Sequence, residues 1–255
     1  MVHRQPEKIV ALLLGVLLFS ACATTGITRQ NKRKAEATRN LGEAYLSQKN
    51  YTAALGQLLK AQKLDAKDAL LQNDLGLAYM AKERYHLAVQ HFQKAVQLRP
   101  DYSLAKNNLG SAYLVLKQWD KAIPVLEEVT NDLLYATPQF PLSNLGWAYY
   151  NKGMYGKAEK YLKKALVLKP DFFIAQLNLG RTYLATGQLD KALSLFNEAA
   201  KKEPRNPGLL LELGKTYRLM GDYDDAVLAL KGAIKYAEDS NVAVQAADEL
   251  KKIYP

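Results

Sequence analysis

Cysteine and histidine, two residue types often used in nucleophilic and metal chemistry, are scarce in this sequence. The 255 residues include one cysteine, Cys22, and three histidines, among them His86 and His91. A lone cysteine excludes an internal disulfide and a cysteine-based zinc site, and we expect both of these histidines to be solvated. The sequence contains no glycine-rich phosphate loop, no His-Glu-x-x-His motif and no nucleophile elbow. We therefore expect no enzymatic activity, no metal or other cofactor, and no small-molecule substrate.

Cys22 is the residue whose surroundings indicate a covalent modification. Basic residues precede an apolar run over 9–19, and small residues stand directly before the cysteine. The run is too short to cross a bilayer, which takes about 20 residues, and its layout is typical of a secretory signal peptide. The sequence Leu-Phe-Ser-Ala-Cys over 18–22 resembles the bacterial lipobox. This resemblance implies removal of the signal peptide 1–21 and attachment of a lipid to Cys22.

An ordinary signal peptide, cleaved near Ala21 or Ala23, is the alternative and leaves Cys22 without a role. We favour lipidation because the only cysteine of the chain occupies this position. In lipobox proteins a non-acidic residue after the cysteine, here Ala23, implies sorting to the outer membrane. We therefore expect the covalent lipid to anchor the chain to the periplasmic face of the outer membrane. Export also argues against nucleic acid as a partner.

Residues 22–34 are predicted to form a basic tether behind the acylated cysteine. Ala23 to Arg33 is polar and lacks helical periodicity, which is typical of a flexible linker. Between residues 22 and 39 five basic residues stand against one acidic residue, a net charge of +4 within a chain total of +10. Such a segment can lie on anionic head groups, or it can be a solvated tether. The sequence leaves both interpretations open.

A repeated pattern fills most of the remaining chain. Six Leu-Gly dipeptides share one pattern: a tyrosine follows three residues after the glycine, and the six glycines are 34, 34, 36, 34 and 34 residues apart. An alanine stands twelve residues after each glycine, and a bulky apolar residue follows four positions later. The glycines are Gly42, Gly76, Gly110, Gly146, Gly180 and Gly214. This spacing predicts one structural unit per repeat.

The pattern within each repeat predicts two antiparallel helices. The leucine, the glycine and the tyrosine share one face of a first helix, and the alanine and the bulky residue share one face of a second helix. Glycine inside a helix costs about 1 kcal/mol relative to alanine, so six of them need a packing reason. A close crossing of the two helices supplies that reason. Pro100, Pro170 and Pro204 end second helices where the chain turns again.

This pattern resembles the tetratricopeptide repeat. The resemblance implies an all-α solenoid of six helix-turn-helix repeats with a C-terminal capping helix, stabilised by contacts between neighbouring repeats. We predict the first three repeats over 35–136, a two-residue insertion at 137–138, the last three repeats over 139–240 and the capping helix over 241–255.

In this family the first helices line the concave surface, which predicts a groove for a protein partner. Asparagine precedes the leucine in four repeats; its amide can pair with the backbone of an extended peptide, or it can be a consensus residue without that use. Nearby apolar side chains are expected to be exposed in the groove, unless neighbouring first helices cover them. The predicted groove residues are Asn40, Leu77, Met80, Asn108, Leu114, Asn144, Trp147, Tyr150 and Asn178. We expect the two aromatic residues, Leu77 and Met80 to contribute most binding energy.

The layout of the chain is similar to that of the type IV pilus biogenesis lipoproteins, the pilotins. The similarity lies in the lipobox, the six repeats, the junction Asp132–Tyr135 after repeat 3 and the ending Glu249–Pro255. It implies that the partner is a subunit of the outer-membrane secretin, whose localisation and multimerisation the chain would promote. A lipoprotein adaptor for cell-wall hydrolases or for a periplasmic protease would have the same anchor and repeats, and is the alternative.

Overall fold

The computed structural model describes residues 29–237 and 241–253, and these residues form helices joined by turns and loops, without a β-strand. In chain order the helices are α1 (29–47), α2 (Tyr51–Leu64), α3 (Ala69–Ala81), α4 (Tyr85–Leu98), α5 (Ser103–Val115), α6 (Trp119–Thr130), α7 (Gln139–Asn151), α8 (Tyr155–Leu168), α9 (Phe173–Ala185), α10 (Leu189–Ala200), α11 (Pro207–Met220), α12 (Tyr223–Ala237) and α13 (Asn241–Lys251). The predicted all-α class is confirmed. The predicted signal peptide 1–21 and Cys22 lie outside the described residues. Among those described, no helix is both long and apolar enough to span a bilayer.

Helix α1 already includes residue 29, so the expectation of a flexible tether is wrong for residues 29–34. These residues are exposed and, apart from Asn31, are arginine, glutamine and lysine, which are strong helix formers. Ala35 is buried and fixes the next turn of α1 against the fold. The helix can therefore continue backwards into solvent without an apolar face of its own. The remainder of the predicted tether, 22–28, lies outside the described residues.

Each first helix reverses into its second helix through a turn of two or three residues. The same turn position has a positive φ in all six repeats, and the residues are Lys49, Glu83, Lys117, Gly153, Gly187 and Gly221. Glycine adopts this left-handed conformation without steric cost, whereas a residue with a Cβ is strained in it. The first three repeats therefore carry strain in a turn that glycine relieves in the last three.

A close crossing of the two helices explains the glycine that every first helix contains. A Cβ placed on Gly42 would lie 2.7 Å from Cδ2 of Leu58, and a Cβ on Gly180 would overlap the ring of Phe196. Leu58 and Phe196 are the bulky residues of the second helices, and both are fully buried. The packing reason predicted for the glycines is confirmed.

The described residues divide into two compact units, one up to Asn108 and the other from Leu109 onward, and the division falls inside α5. In the first unit a core around Leu58 joins the second helix of repeat 1 to the first helix of repeat 2. In the second unit α13 packs against α11 and α12, with Ala246 buried beside Leu211. The predicted capping helix is confirmed, because α13 covers the apolar face that the last repeat would otherwise expose.

The junction after repeat 3 is longer than the other connections between repeats. Eight residues, 131–138, separate α6 from α7, whereas four residues connect the repeats at 65–68 and at 169–172. Helix α6 has 12 residues and α8 has 14, so the loop grows partly because α6 ends early. The two extra residues, predicted at 137–138, are thus part of a longer loop rather than a separate insertion.

Candidate functional site

An aromatic pair on α7 begins the most distinctive surface of the second unit. Trp147 and Tyr150 are three residues apart, one helical turn, and their rings stack with centroids 5.3 Å apart and planes 10° apart. Tyr155, at the start of α8, extends the group, with its centroid 5.7 Å from that of Tyr150. Trp147, Tyr150 and Tyr155 are all partly exposed, so the pair combines a large apolar area with access for a partner.

Charged residues from the next two first helices join the aromatic pair. The guanidinium carbon of Arg181, on α9, lies 5.6 Å from the ring centroid of Trp147, which places a cation over an aromatic face. The Nε of Arg181 donates to Oε1 of Glu212, on α11, at 3.0 Å. Lys215 lies 3.6 Å from the same carboxylate oxygen. Trp147, Tyr150, Arg181, Glu212 and Lys215 thus form one connected surface, which we name the Trp147 surface.

The electrostatics of the Trp147 surface favour hydrogen-bond donors. Glu212 is buried, whereas the side chains of Arg181 and Lys215 are more exposed, so cations dominate the accessible charge. Burial raises the pKa of Tyr150, the charge of Glu212 adds to this increase, and Arg181 opposes it. The Tyr150 hydroxyl therefore keeps its proton in neutral solution. The surface presents aromatic faces together with N–H and O–H donors, which suits a partner with apolar and acidic or carbonyl groups.

The first unit has a separate surface on α3. Leu77 and Met80 are partly buried there, and their part in binding a partner stays a prediction. Asp74 is only 8% exposed, and burial raises its pKa from 3.8 to about 6. The charge of Glu43 raises the pKa further, while Arg39 opposes the increase. Asn73 donates a long hydrogen bond, 3.4 Å, to the Asp74 carboxylate, which also opposes the increase without cancelling it. The buried carboxyl is therefore expected to destabilise this unit when it is charged.

The asparagines are used mainly inside the repeat stack. Asn108 Nδ2 donates to Asn73 Oδ1 at 2.9 Å, and Asn144 Nδ2 donates to Ser111 Oγ at 3.0 Å. Each of these bonds links the first helices of neighbouring repeats. Asn40 is exposed, and its side-chain oxygen accepts from Arg39. The geometry therefore favours a packing use of these amides over a ladder that grips a peptide.

The expectation of groove exposure is wrong for Leu114 and Asn178, which are 8% and 6% exposed. Asn178 Oδ1 also accepts a long hydrogen bond, 3.5 Å, from Arg181. Burial of this extent leaves little of either side chain for a partner. The alternative, that part of the predicted groove set is covered, holds for these two residues.

His91 differs from its predicted solvated state. Its Nδ1 lies 2.8 Å from Oε1 of Gln72, and its ring stacks on Tyr79 with centroids 5.2 Å apart. Burial lowers the pKa of His91, and the charge of Lys94 acts in the same direction. A neutral, packed histidine has a structural role. Within 29–237 and 241–253, no group of three or more histidine, cysteine or acidic residues is placed to hold a metal ion.

Arg181, Glu212 and Lys215 are the residues that sequence reasoning missed. Glu212 occupies the position that holds asparagine in four other repeats, and this difference could have indicated a separate role for Glu212. Its partner Arg181 lies 31 residues away in the chain, so only the stacking of repeats reveals the pair.

Six helix pairs and a capping helix, with exposed polar and aromatic residues on the first helices, define an α-helical repeat protein. A family model of the tetratricopeptide repeat matches residues 24–69, 73–134 and 143–209, and a second such model matches residues 187–247. The chain belongs to the tetratricopeptide-repeat family.

Solved structures share this fold over most of the chain. PilW, described as a widely conserved type IV pilus biogenesis factor, is 23% identical, with a TM-score of 0.75 over 87% of this chain and 98% of PilW. Pseudomonas aeruginosa pilF is 20% identical, with a TM-score of 0.73 over 88% of this chain and 98% of pilF. MamA of Desulfovibrio magneticus RS-1 is 26% identical, with a TM-score of 0.59 over 67% of this chain and 96% of MamA. No curated protein sequence matches the chain.

Proposed function

We propose that this chain is a periplasmic scaffold, anchored to the outer membrane by a lipid on Cys22, that binds a subunit of the type IV pilus secretin. In this role it promotes the localisation and multimerisation of the secretin and catalyses no reaction. Three features support the proposal: the lipobox-like sequence, the junction Asp132–Tyr135, and the likeness of the fold to PilW along nearly the whole length of both chains.

The observation that carries the proposal is the Trp147 surface. Tryptophan, tyrosine and arginine are the residue types that dominate binding energy at protein interfaces. Here one of each is held in place by contacts between three successive first helices, so little side-chain entropy is lost when a partner docks. The half-exposed rings provide apolar area, and Arg181 and Lys215 provide donors. Such a surface suits a polypeptide partner, because exposed aromatic area and hydrogen-bond donors together match the apolar and carbonyl groups of a polypeptide.

The test is the affinity of the purified chain for a purified secretin subunit, measured by titration calorimetry. Removal of an interface anchor costs about 2 kcal/mol or more, so we expect Trp147→Ala to raise Kd by roughly 30-fold. Arg181→Ala is expected to weaken binding as well, and more strongly at low salt. Tyr223→Ala is the matched control, because Tyr223 is an exposed aromatic residue on α12, outside the Trp147 surface.

Two results would reject this function. One is a Kd that Trp147→Ala and Tyr223→Ala change equally, because the Trp147 surface would then have no special part in binding. The other is an envelope extract in which the anchored chain retains cell-wall hydrolases or a protease and no secretin. That second result would favour the adaptor role instead.

A further inference from the structure

The loop between α6 and α7 exposes two consecutive leucines at its tip. Leu133 is 96% exposed and Leu134 is 94% exposed. The backbone N–H of Tyr135 donates to the carbonyl of Asp132 at 3.2 Å, and the N–H of Leu134 donates to the Asp132 carboxylate at 3.0 Å. These bonds close a turn in which the two leucines take the central positions. The turn therefore holds both side chains away from the fold.

An apolar cavity lies at the base of this loop. It has a volume of about 440 Å³, and Thr130 and Pro138, which flank the loop, are part of its wall. Leu142 of α7 and Val167 and Leu168 of α8 complete the apolar lining. Val167 is 81% exposed and Leu168 is also exposed, so the apolar area continues from the cavity onto the surface of α8. Contiguous apolar surface of this kind marks a docking site.

The α8 side of this apolar area is positive, whereas the loop contributes one acidic residue, Asp132. Helix α8 carries four lysines and one glutamate, Glu159. Lys163 and Lys164 line the cavity itself. Lys163 pairs with Glu159 at 2.6 Å, yet its side chain is still 56% exposed and available to an anion. Exposed leucines and lysines together are complementary to a partner with an apolar interior and negatively charged groups at its surface.

We propose that the loop 131–138 and the C-terminal half of α8 form a membrane-contacting face that binds anionic phospholipid bilayers. Leu133 and Leu134 enter the boundary of the hydrocarbon region, and Lys163 and Lys164 pair with lipid phosphates. We favour a bilayer over a peptide because both leucines are almost fully exposed and two lysines line the cavity at the base of the loop. This contact is independent of the proposed secretin partner and of Cys22. It adds a second attachment that would orient the repeats relative to the membrane.

The test is flotation of the full chain carrying Cys22→Ser with two kinds of vesicle, one of phosphatidylcholine alone and one that also contains phosphatidylglycerol. The substitution removes the proposed lipid anchor, and residues 1–28 are otherwise common to all the proteins compared. We expect at least about tenfold stronger binding to the phosphatidylglycerol vesicles, lost at high salt. We expect the double variant Leu133→Ser with Leu134→Ser to bind these vesicles at least about tenfold more weakly than the protein with both leucines.

Matched control variants test whether vesicle binding depends on this face, rather than on exposed apolar or basic residues anywhere on the protein. Leu228→Ser with Val244→Ser removes two exposed apolar side chains elsewhere in the second unit and is expected to leave vesicle binding unchanged. For charge, Lys163→Gln with Lys164→Gln is compared with Lys231→Gln with Lys235→Gln, two exposed lysines of α12. The first pair is expected to weaken binding to phosphatidylglycerol vesicles, and the second pair to leave it nearly unchanged.

Several outcomes would overturn the proposal. Binding that the leucine variant retains in full would show that the loop does not enter the bilayer, as would equal binding to both kinds of vesicle. A wild-type dimer that the leucine substitutions convert to a monomer, measured by light scattering, would assign the face to a second copy of the chain. Because the substituted side chains are exposed, unchanged circular dichroism and thermal unfolding are expected for every variant.

Discussion

Replacement of Asp74 by asparagine tests whether a buried charge destabilises the first unit. Asp74 occupies the position at which Asn40, Asn108, Asn144 and Asn178 stand in other repeats, so the substitution restores the common residue. The carboxyl is nearly inaccessible, and its pKa is raised from 3.8 to about 6 by burial first and by the charge of a neighbouring glutamate second. The charged form is thus less stable in the folded protein than in the unfolded chain.

The size and the pH dependence of this effect follow from linkage. A rise of about two pKa units corresponds to roughly 3 kcal/mol at 1.36 kcal/mol per unit. Because the folded pKa is the higher one, the protonated carboxyl contributes its full stability below pH 3.8, and this stability is lost as the pH rises through about 6. Asp74→Asn cannot ionise. We therefore expect it to be more stable than the wild type by up to about 3 kcal/mol at about pH 8, and to have little advantage near pH 4.

Urea unfolding at a series of pH values, followed by circular dichroism, measures this difference. Asp248→Asn is the control, because it removes the same charge from an exposed position on α13. Its effect on the free energy of unfolding is expected to show no change centred near pH 6. The reasoning is refuted if Asp74→Asn is less stable than the wild type at about pH 8, or if its advantage is the same at every pH.

Four further predictions address packing, turn strain, titration and anchoring. Gly42→Ala should lower stability by about 1–3 kcal/mol in urea unfolding because its Cβ meets a buried leucine, whereas Gly56→Ala, with open space around it, should raise stability by about 0.5–1 kcal/mol. Lys117 has a positive φ, so Lys117→Gly should raise the stability of the second unit by up to about 1 kcal/mol, measured by hydrogen exchange. A decrease in stability would show that Lys117 is not strained in this turn. Because the pKa of His91 is lowered in the folded protein, its stabilising contribution is present above pH 6.5 and is lost as the pH falls. In urea unfolding, the difference in stability between the wild type and His91→Gln should therefore become smaller in acid, and an increase would contradict the argument. Cys22→Ser should leave the fold intact and, at a salt concentration high enough to screen binding to lipid phosphates, move the chain from the membrane fraction to the soluble fraction; retention in the membrane at that salt would place the anchor elsewhere.

The architecture could be predicted from the sequence because the repeat fixes it locally. Leucine, glycine and tyrosine at fixed spacing define one helix face, and the glycine at each crossing has a direct steric cause, seen at Gly42 and Gly180. The pairing of Trp147 with Tyr150 was likewise accessible, because residues three apart on a helix are neighbours. Each of these features depends on residues within one helix or one helix pair.

The details of the candidate site could not be predicted, because they arise between repeats. Leu114 and Asn178 are buried, and the pattern of a single repeat gives no indication of how completely its edge is covered. The ion pair of Arg181 with Glu212 joins residues 31 apart in the chain. His91 similarly depends on Gln72, which lies on the other helix of its repeat. Side-chain contacts of this kind follow from three-dimensional stacking and leave no periodic signal.

The central claim, that the Trp147 surface is where a protein partner docks, is tested most directly by photo-crosslinking in intact cell envelopes. A photoreactive amino acid in place of Trp147 is compared with the same amino acid at Leu228, an exposed position on α12. The account predicts a crosslink from position 147 to the secretin subunit, identified by mass spectrometry, and none from position 228. A crosslink to the secretin from position 228 with none from position 147 would contradict it.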